Sequence, residues 1–241
     1  MIFILVSGAW HGAWCWELVA PQLAAAGHTV FTPDLPGMGA DRRSLASLSF
    51  ADWTHDLAAL VRQQPEPCVL AGHSRAGIVI SQVAEMAPEA LRTTIYIAAI
   101  LAPDGHKMAD VLGPPDPQLR AGITLCPSGV STTFDTRLLR PFFYNTTPPH
   151  LAARAASLLT PEPLFAGAAE MRLSEGRFGC VPRAYVECRQ DQVVPVVKQR
   201  AMYDALPCWR VESLDTDHSP FYSAPSALSA TLLNLAADAP V

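Results

Sequence analysis

Cys68-Val69-Leu70-Ala71-Gly72-His73-Ser74-Arg75-Ala76-Gly77 puts a serine directly after a short apolar run and directly before a helix-forming one. The run Cys68–Ala71 reads as a strand buried on both faces, and Arg75 to Met86 reads as the helix that follows. A serine on so sharp a strand-to-helix turn is held with its hydroxyl exposed at the carboxyl edge of a sheet. Small neighbours are needed there because the turn brings backbones together. Gly72 stands two residues before Ser74, but Ala76 holds the place two residues after it, and glycine comes only at 77. The departure from the usual pattern is one methyl group. The competing reading is an ordinary glycine-containing turn; the strand before and the helix after favour the reactive one.

Working outward, the same alternation recurs. Ile2 to Ser7, His28 to Pro33, Thr93 to Ala98, Arg183 to Glu187 and Trp209 to Leu214 read as further strands separated by helix-like segments. Continuous apolar strands with crossover helices between them predict an α/β fold, a six-stranded, mostly parallel sheet flanked by helices. Trp16 to Ala26 reads as a helix stopped by Gly27. Ser49 with Asp52 three residues on forms a capping-box variant that starts a helix running to Gln64. Val196 to Leu206 and Pro225 to Ala237 complete the helices.

One interval breaks the alternation. From 102 to 181 no strand pattern is visible, and prolines cluster at 114, 115, 117, 127, 141, 148, 149, 161 and 163. Phe142, Phe143, Tyr144, Leu158, Leu159, Leu164 and Phe165 make the interval too apolar for a solvated linker. It is predicted to pack over the sheet as a helical cap inserted within a single domain spanning 1–241.

Composition excludes several classes of function. The chain of 241 residues is 50% hydrophobic and 16% charged, which supports a buried core and excludes a disordered chain. Seventeen Lys and Arg against 22 Asp and Glu give a net charge of −5, and no basic run exceeds Arg42-Arg43, so nucleic acid is not an expected partner. The longest apolar stretches, Ile2 to Val6 and Ile95 to Ala102, fall short of the roughly 18 to 20 residues that a membrane helix needs. Met1 leads into apolar sequence without a basic leader or a small-residue cleavage site, so no secretion signal is expected and the cytoplasm is the expected compartment. Cys15, Cys68, Cys126, Cys180, Cys188 and Cys208 match neither a zinc-binding CxxC pair nor a dense disulfide framework; mostly buried thiols, and no metal, are expected. Self-association as a homodimer is left open.

A serine hydroxyl is a poor nucleophile until a base takes its proton, and an acid must orient that base. His218 lies in Asp215-Thr216-Asp217-His218-Ser219-Pro220, a polar loop after the last strand, from which a side chain can reach across the carboxyl edge. His28 begins a strand, His55 lies on a helix, and His106 and His150 fall in the insertion. His73 is expected to point away from the serine. For the acid, Asp191 follows the strand Arg183 to Glu187 and reaches the same edge. Asp215 and Asp217 compete, but they share a short loop with His218, where capping suits them better.

A tetrahedral intermediate needs N–H donors aimed at its oxyanion. One is the amide of Arg75. The second is expected from Ala9, in Ser7-Gly8-Ala9-Trp10-His11-Gly12 after the first strand, although a simple tight turn also accounts for the glycines. The Arg75 side chain opposes the helix macrodipole. Either an acidic neighbour compensates it or the guanidinium faces the pocket. Gly8, His11, Phe142, Phe143 and Phe221, with Tyr222 beside the last, are candidates to face a substrate; core packing is the alternative for the aromatics.

The chain resembles the α/β-hydrolase superfamily, and within it the branch of plant methylesterases and hydroxynitrile lyases with their bacterial esterase relatives. The resemblance rests on His11-Gly12-Ala13-Trp14-Cys15-Trp16, Ala26-Gly27-His28-Thr29-Val30, Asp34-Leu35-Pro36-Gly37, the turn at Ser74, and Arg177-Phe178-Gly179. It implies the same triad of Ser74, Asp191 and His218, and the same donors, Ala9 and Arg75. The family usually has histidine where this chain has Ser7, and two glycines at the end of the turn. Its lyases carry threonine in place of Gly8 and lysine in place of Ser219, a cation for departing cyanide.

These residues predict a cofactor-free serine carboxylesterase acting on small or medium aryl or alkyl esters through an acyl-enzyme. Two alternatives stand beside it: cyanohydrin cleavage, and a ligand receptor that retains the hydrolase scaffold. Turnover of a simple ester separates the receptor from the enzyme.

Overall fold

The computed structural model describes residues 1–240. Six strands, β1 (Ile2–Val6), β2 (Thr29–Phe31), β3 (Cys68–His73), β4 (Leu91–Ile97), β8 (Arg183–Cys188) and β9 (Arg210–Leu214), form one sheet in the order β2-β1-β3-β4-β8-β9. Every pairing in it is parallel. The central strands are apolar throughout because both faces are covered: β1 and β3 are buried at every position.

Alternate residues serve the two faces. Ile2, Ile4 and Val6 pack with Trp53 and Leu57 of α2 (Phe50–Arg62) and Ile80 and Val83 of α3 (Ala76–Met86). Phe3 and Leu5 pack on the other side with Leu23 of α1 (Ala20–Ala25) and Leu228 and Leu232 of α10 (Pro225–Ala237). The helix α9 (Val196–Ala205) joins the first face through Met202. The chain turns outward from β1 to β2 and then returns to place β3 on the opposite side of β1. The carboxyl edge between β1 and β3 is therefore the topological switch point of the sheet, where the loops leaving the two strands diverge.

The expected helix from Trp16 to Ala26 is shorter than the sequence pattern suggests. A 3-10 turn occupies Ala13–Trp16, and α1 begins only at Ala20, with Pro21 in its first turn. The proline ring would clash with the helical carbonyl of Glu17 four residues earlier, so a helix can hold Pro21 only in its first turn. Gly27 does adopt the left-handed backbone, at φ +87°. At α2, the Asp52 carboxylate accepts from the Ser49 amide at 2.8 Å and from its hydroxyl at 2.6 Å.

The interval between β4 and β8 is not purely helical. Beside α4 (Met108–Leu112), α5 (Pro117–Ala121), α6 (Thr136–Phe143), α7 (Pro149–Leu158) and α8 (Leu164–Ala168), it holds an antiparallel sheet of β5 (Ile123–Leu125), β6 (Ser131–Phe134) and β7 (Glu162–Pro163), in that order. These strands are too short to show a period-2 pattern, and β5 is exposed along its length. Of the six cysteines, Cys15, Cys68 and Cys188 are buried, Cys180 is exposed, and all are free thiols.

Candidate active site

Ser74 sits between β3 and α3 with φ +55°, a conformation that costs a non-glycine residue free energy and persists only where surroundings hold it. Its amide donates to Ile97 O at 3.1 Å, and its carbonyl accepts from the amides of Gly77 (3.0 Å) and Ile100 (2.9 Å). A Cβ at residue 77 would overlap the Ile100 carbonyl. The tightest approach at this turn thus falls at 77, which explains why alanine is accommodated at 76.

The short β8 and the loop after it bring Asp191 to the same edge, and the loop after β9 brings His218. His218 Nε2 lies 2.9 Å from Ser74 Oγ, and His218 Nδ1 lies 2.6 Å from Asp191 Oδ2. The carboxylate is itself held: Oδ1 accepts from the amides of Val193 (2.7 Å) and Val194 (2.8 Å), and Oδ2 from Gln199 Nε2 (3.2 Å). With Nδ1–H donated to the carboxylate, Nε2 is left as acceptor for the serine hydroxyl. Ser74 is 7% exposed, Asp191 3% and His218 0%. The side chains of Asp191 and His218 are fully buried, which leaves Ser74 as the member of the line nearest the surface. Asp217 faces elsewhere, accepting from Thr146 N (2.9 Å), Thr147 Oγ1 (2.8 Å) and Ser219 N (3.0 Å).

The loop after β1 lies against this line. A Cβ at Gly8 would stand 2.8 Å from His73 Nδ1 and 2.9 Å from Ser74 Cβ, so glycine is what lets the loop approach the serine. His11 does not present a free nitrogen to a ligand. Its Nδ1 lies 2.7 Å from Ala9 O and its Nε2 2.6 Å from Tyr144 Oη, and burial lowers its pKa to about 4. The neutral ring donates from Nδ1 to the carbonyl and accepts at Nε2 from the phenol. Among the described residues neither the Ala9 nor the Arg75 amide donates to a protein acceptor. Both remain available to an oxygen bound there.

His73 does not point idly away. Its Nε2 donates to His218 O at 2.7 Å, its ring stands 4.7 Å from the His218 ring, and burial holds its pKa well below the usual imidazole value. Of the two readings of the Arg75 side chain, the acidic neighbour is the one found. Glu162 in β7 pairs with it across the fold, Nε to Oε1 at 2.9 Å, with both side chains buried. The pattern of residues could announce that Arg75 needs an anion, but nothing in it selected Glu162.

The candidate aromatics divide. Phe143 stands roughly perpendicular to the ring of His218 at 5.4 Å and to that of Trp10 at 6.0 Å, beside the line from Ser74 to Asp191. Phe221 is fully buried behind the site, against His73 at 5.1 Å and Trp16 at 5.7 Å, where it packs rather than lines. Phe142 lies in the same apolar cluster as Leu139 and Ala152. Among the described residues, no group of three His, Cys, Asp or Glu side chains is placed to hold a metal ion, and no helix is long and apolar enough to cross a membrane.

The chain matches the alpha/beta hydrolase family over residues 3–231. Methylesterase 1 of Arabidopsis thaliana is 32% identical over 97% of this chain and 95% of its own. Against a longer Arabidopsis relative named as chloroplastic methylesterase 13, 31% identical, the chain spans 55% of the partner's length. Among solved structures, polyneuridine aldehyde esterase superposes with a TM-score of 0.88 at 26% identity, covering 97% of this chain and 98% of that one. A pyrethroid hydrolase from Sphingobium faniae JZ-2 gives 0.88 at 27% identity, covering 99% and 98%. The chain therefore belongs to the alpha/beta hydrolase family, within the branch that holds the plant methylesterases.

Proposed function

We propose that this protein is a serine carboxylesterase hydrolysing small or medium aryl and alkyl carboxylic esters through an acyl-enzyme. The observation that carries the reading is the continuous line from Ser74 Oγ to His218 Nε2 at 2.9 Å and from His218 Nδ1 to Asp191 Oδ2 at 2.6 Å. In this reading Ser74 Oγ attacks the ester carbonyl while His218 Nε2 takes its proton, and Asp191 stabilises the imidazolium that forms. The amides of Ala9 and Arg75 receive the oxyanion. His218 returns the proton to the departing alcohol, then activates a water that releases the acid and restores the hydroxyl. No step calls on a cofactor. Relatives named as methylesterase and esterase support the substrate class.

The segment 102–181 serves in this reading as the cap that contributes Phe143 to the acyl or alcohol site. Cyanohydrin cleavage would need a cation free to meet cyanide. The position after His218 is Ser219, which is buried, and the Arg75 guanidinium is committed to Glu162. The reading expects action in the cytoplasm, which fractionation of the source cells tests. Purified protein is expected to turn over p-nitrophenyl acetate and butyrate repeatedly, and Ser74→Ala to abolish it. A single stoichiometric burst would favour a receptor instead, and release of benzaldehyde from mandelonitrile would favour a lyase.

A further inference from the structure

The loop that carries the Ala9 amide is held by side chains at nearly every peptide. The Gly8 carbonyl accepts from Arg75 Nη2 at 3.0 Å and from the His11 amide at 3.3 Å. The next peptide is gripped at both ends: Ala9 O lies 2.7 Å from His11 Nδ1, and the Trp10 N–H donates to Glu162 Oε2 at 3.1 Å. Trp10 itself takes φ +61°, an unfavourable backbone for an aromatic residue that these contacts maintain. Among the described residues, the Ala9 N–H is the one group of the Gly8–Ala9 peptide without a protein partner.

In a trans peptide the carbonyl and the N–H point in opposite directions. A donor that fixes Gly8 O therefore fixes where the Ala9 N–H points. That donor is the Arg75 guanidinium, which is 2% exposed, stacked 4.3 Å above the Trp53 ring, and neutralised by Glu162. The Nε to Oε1 contact is ionic, with Nη2 also reaching Glu162 Oε2 at 3.4 Å. Glu162 belongs to β7, in the segment between β4 and β8, so one carboxylate ties that segment to both the guanidinium and the Trp10 amide.

Resting on the esterase reading above, we infer that the Arg75 and Glu162 side chains form a positioning pair for the oxyanion donor. Arg75 contributes twice, its backbone amide as a donor and its side chain as the clamp that orients the second donor. Neither guanidinium nor carboxylate touches the reacting atoms. Acylation and deacylation both pass through an oxyanion, so kcat reports the clamp whichever step limits.

The test measures kcat and KM for p-nitrophenyl butyrate, the melting temperature, and inhibition by an aryl trifluoromethyl ketone, whose hydrated adduct carries the oxyanion. Loss of a whole oxyanion donor costs about 10² to 10³ in rate; misorientation through Arg75→Met is expected to lower kcat roughly 10- to 100-fold with KM within about twofold. Ketone affinity should fall by a similar factor. Arg75→Lys, which keeps the charge and a donor, should recover part of the rate. The double variant Arg75→Met/Glu162→Met replaces the buried pair with apolar groups and is expected to regain the melting temperature but not kcat. Should Arg75→Met not fold, Glu162→Gln, which keeps volume and an acceptor for Trp10, is expected to lower kcat and ketone affinity together. A double variant with wild-type kcat, or losses that follow melting temperature alone, would overturn the inference. Wild-type protein that fails to turn over the ester, or activity surviving Ser74→Ala, would instead overturn the esterase reading.

Discussion

His73 Nε2 donates to the backbone carbonyl of His218 at 2.7 Å, and the two rings meet at 4.7 Å with a 54° tilt. The residue before the serine thus buttresses the imidazole that faces the serine from the opposite end of the sequence. Its other nitrogen, Nδ1, has no partner among the described residues and abuts Gly8. His73→Ala removes the ring that separates Gly8 from His218 and leaves the His218 carbonyl buried without a donor, a cost of about 1–3 kcal/mol. We expect a loss of several degrees in melting temperature and about tenfold in kcat, with His73→Gln recovering part of both. Unchanged kcat in the alanine variant would show that the His218 loop holds itself.

The two acids near His218 make a second contrast. Asp191→Asn removes the acceptor that fixes the imidazole tautomer and is expected to lower kcat by about 10⁴, with KM little changed. Asp217 holds the loop to Thr146 and Thr147, and hydrogen bonds to a charged group contribute about 1.5–3 kcal/mol. Asp217→Asn should therefore lower the melting temperature while kcat stays within about tenfold of wild type. Steady-state kinetics and thermal melts of the two variants, run side by side, check both. Equal catalytic losses would mean that Asp217 is no mere tether.

Much of this architecture is legible in the sequence. β3 and β8, which lead into Ser74 and Asp191, are buried nearly throughout and show in the sequence as largely apolar runs, whereas β9, ahead of His218, is a mostly exposed edge strand, and the polar loop after it is what marks that histidine. The segment 102–181 hid its sheet because Glu162–Pro163 is only two residues long and Ile123–Leu125 buries nothing. Glu162 could not be chosen from the acids because it lies 87 residues from Arg75, and only the folded chain brings them together. His73 is a similar case. Its Nε2 meets the backbone carbonyl of residue 218, a contact that its neighbours in sequence do not reveal.

The turn at Ser74 yields a third prediction from the placement of one methyl group. A Cβ at 77 would overlap the Ile100 carbonyl, which is backbone and is itself fixed by the Ile100 amide bonding to Ser74 O. Gly77→Ala must push α3 or the strand end apart, at about 1–3 kcal/mol or more for overpacking, and it moves Ser74 with them. Ala76→Gly restores a double glycine and costs only the helix-propensity difference of roughly 1 kcal/mol. The alanine variant is expected to lose most activity and several degrees of melting temperature, and the glycine variant to retain activity. Full activity in Gly77→Ala would show that the helix can slide without cost.

Acid should loosen the fold through its buried imidazoles. His11 is held neutral, its pKa lowered to about 4 by burial, and burial drives His73 well below the usual value as well. Above pH 6.5 neither the folded nor the unfolded chain protonates these rings, so they contribute no slope. Between about 6.5 and 4 the unfolded chain binds protons that the folded chain refuses, and each such ring costs up to about 1.4 kcal/mol of stability per unit of pH lost. Glu162 pulls the other way, because burial raises its carboxyl pKa and the folded state takes that proton first. Glu187, held near 2 chiefly by its hydrogen bonds to Arg200, begins to destabilise only as pH falls below the 4.5 of an unfolded glutamate. The comparison that isolates the imidazole is therefore the urea midpoint of wild type against His11→Phe from pH 7.5 to 4.5. The wild-type midpoint is expected to fall more steeply than that of the variant, and parallel slopes would show that His11 accepts its proton in the folded state.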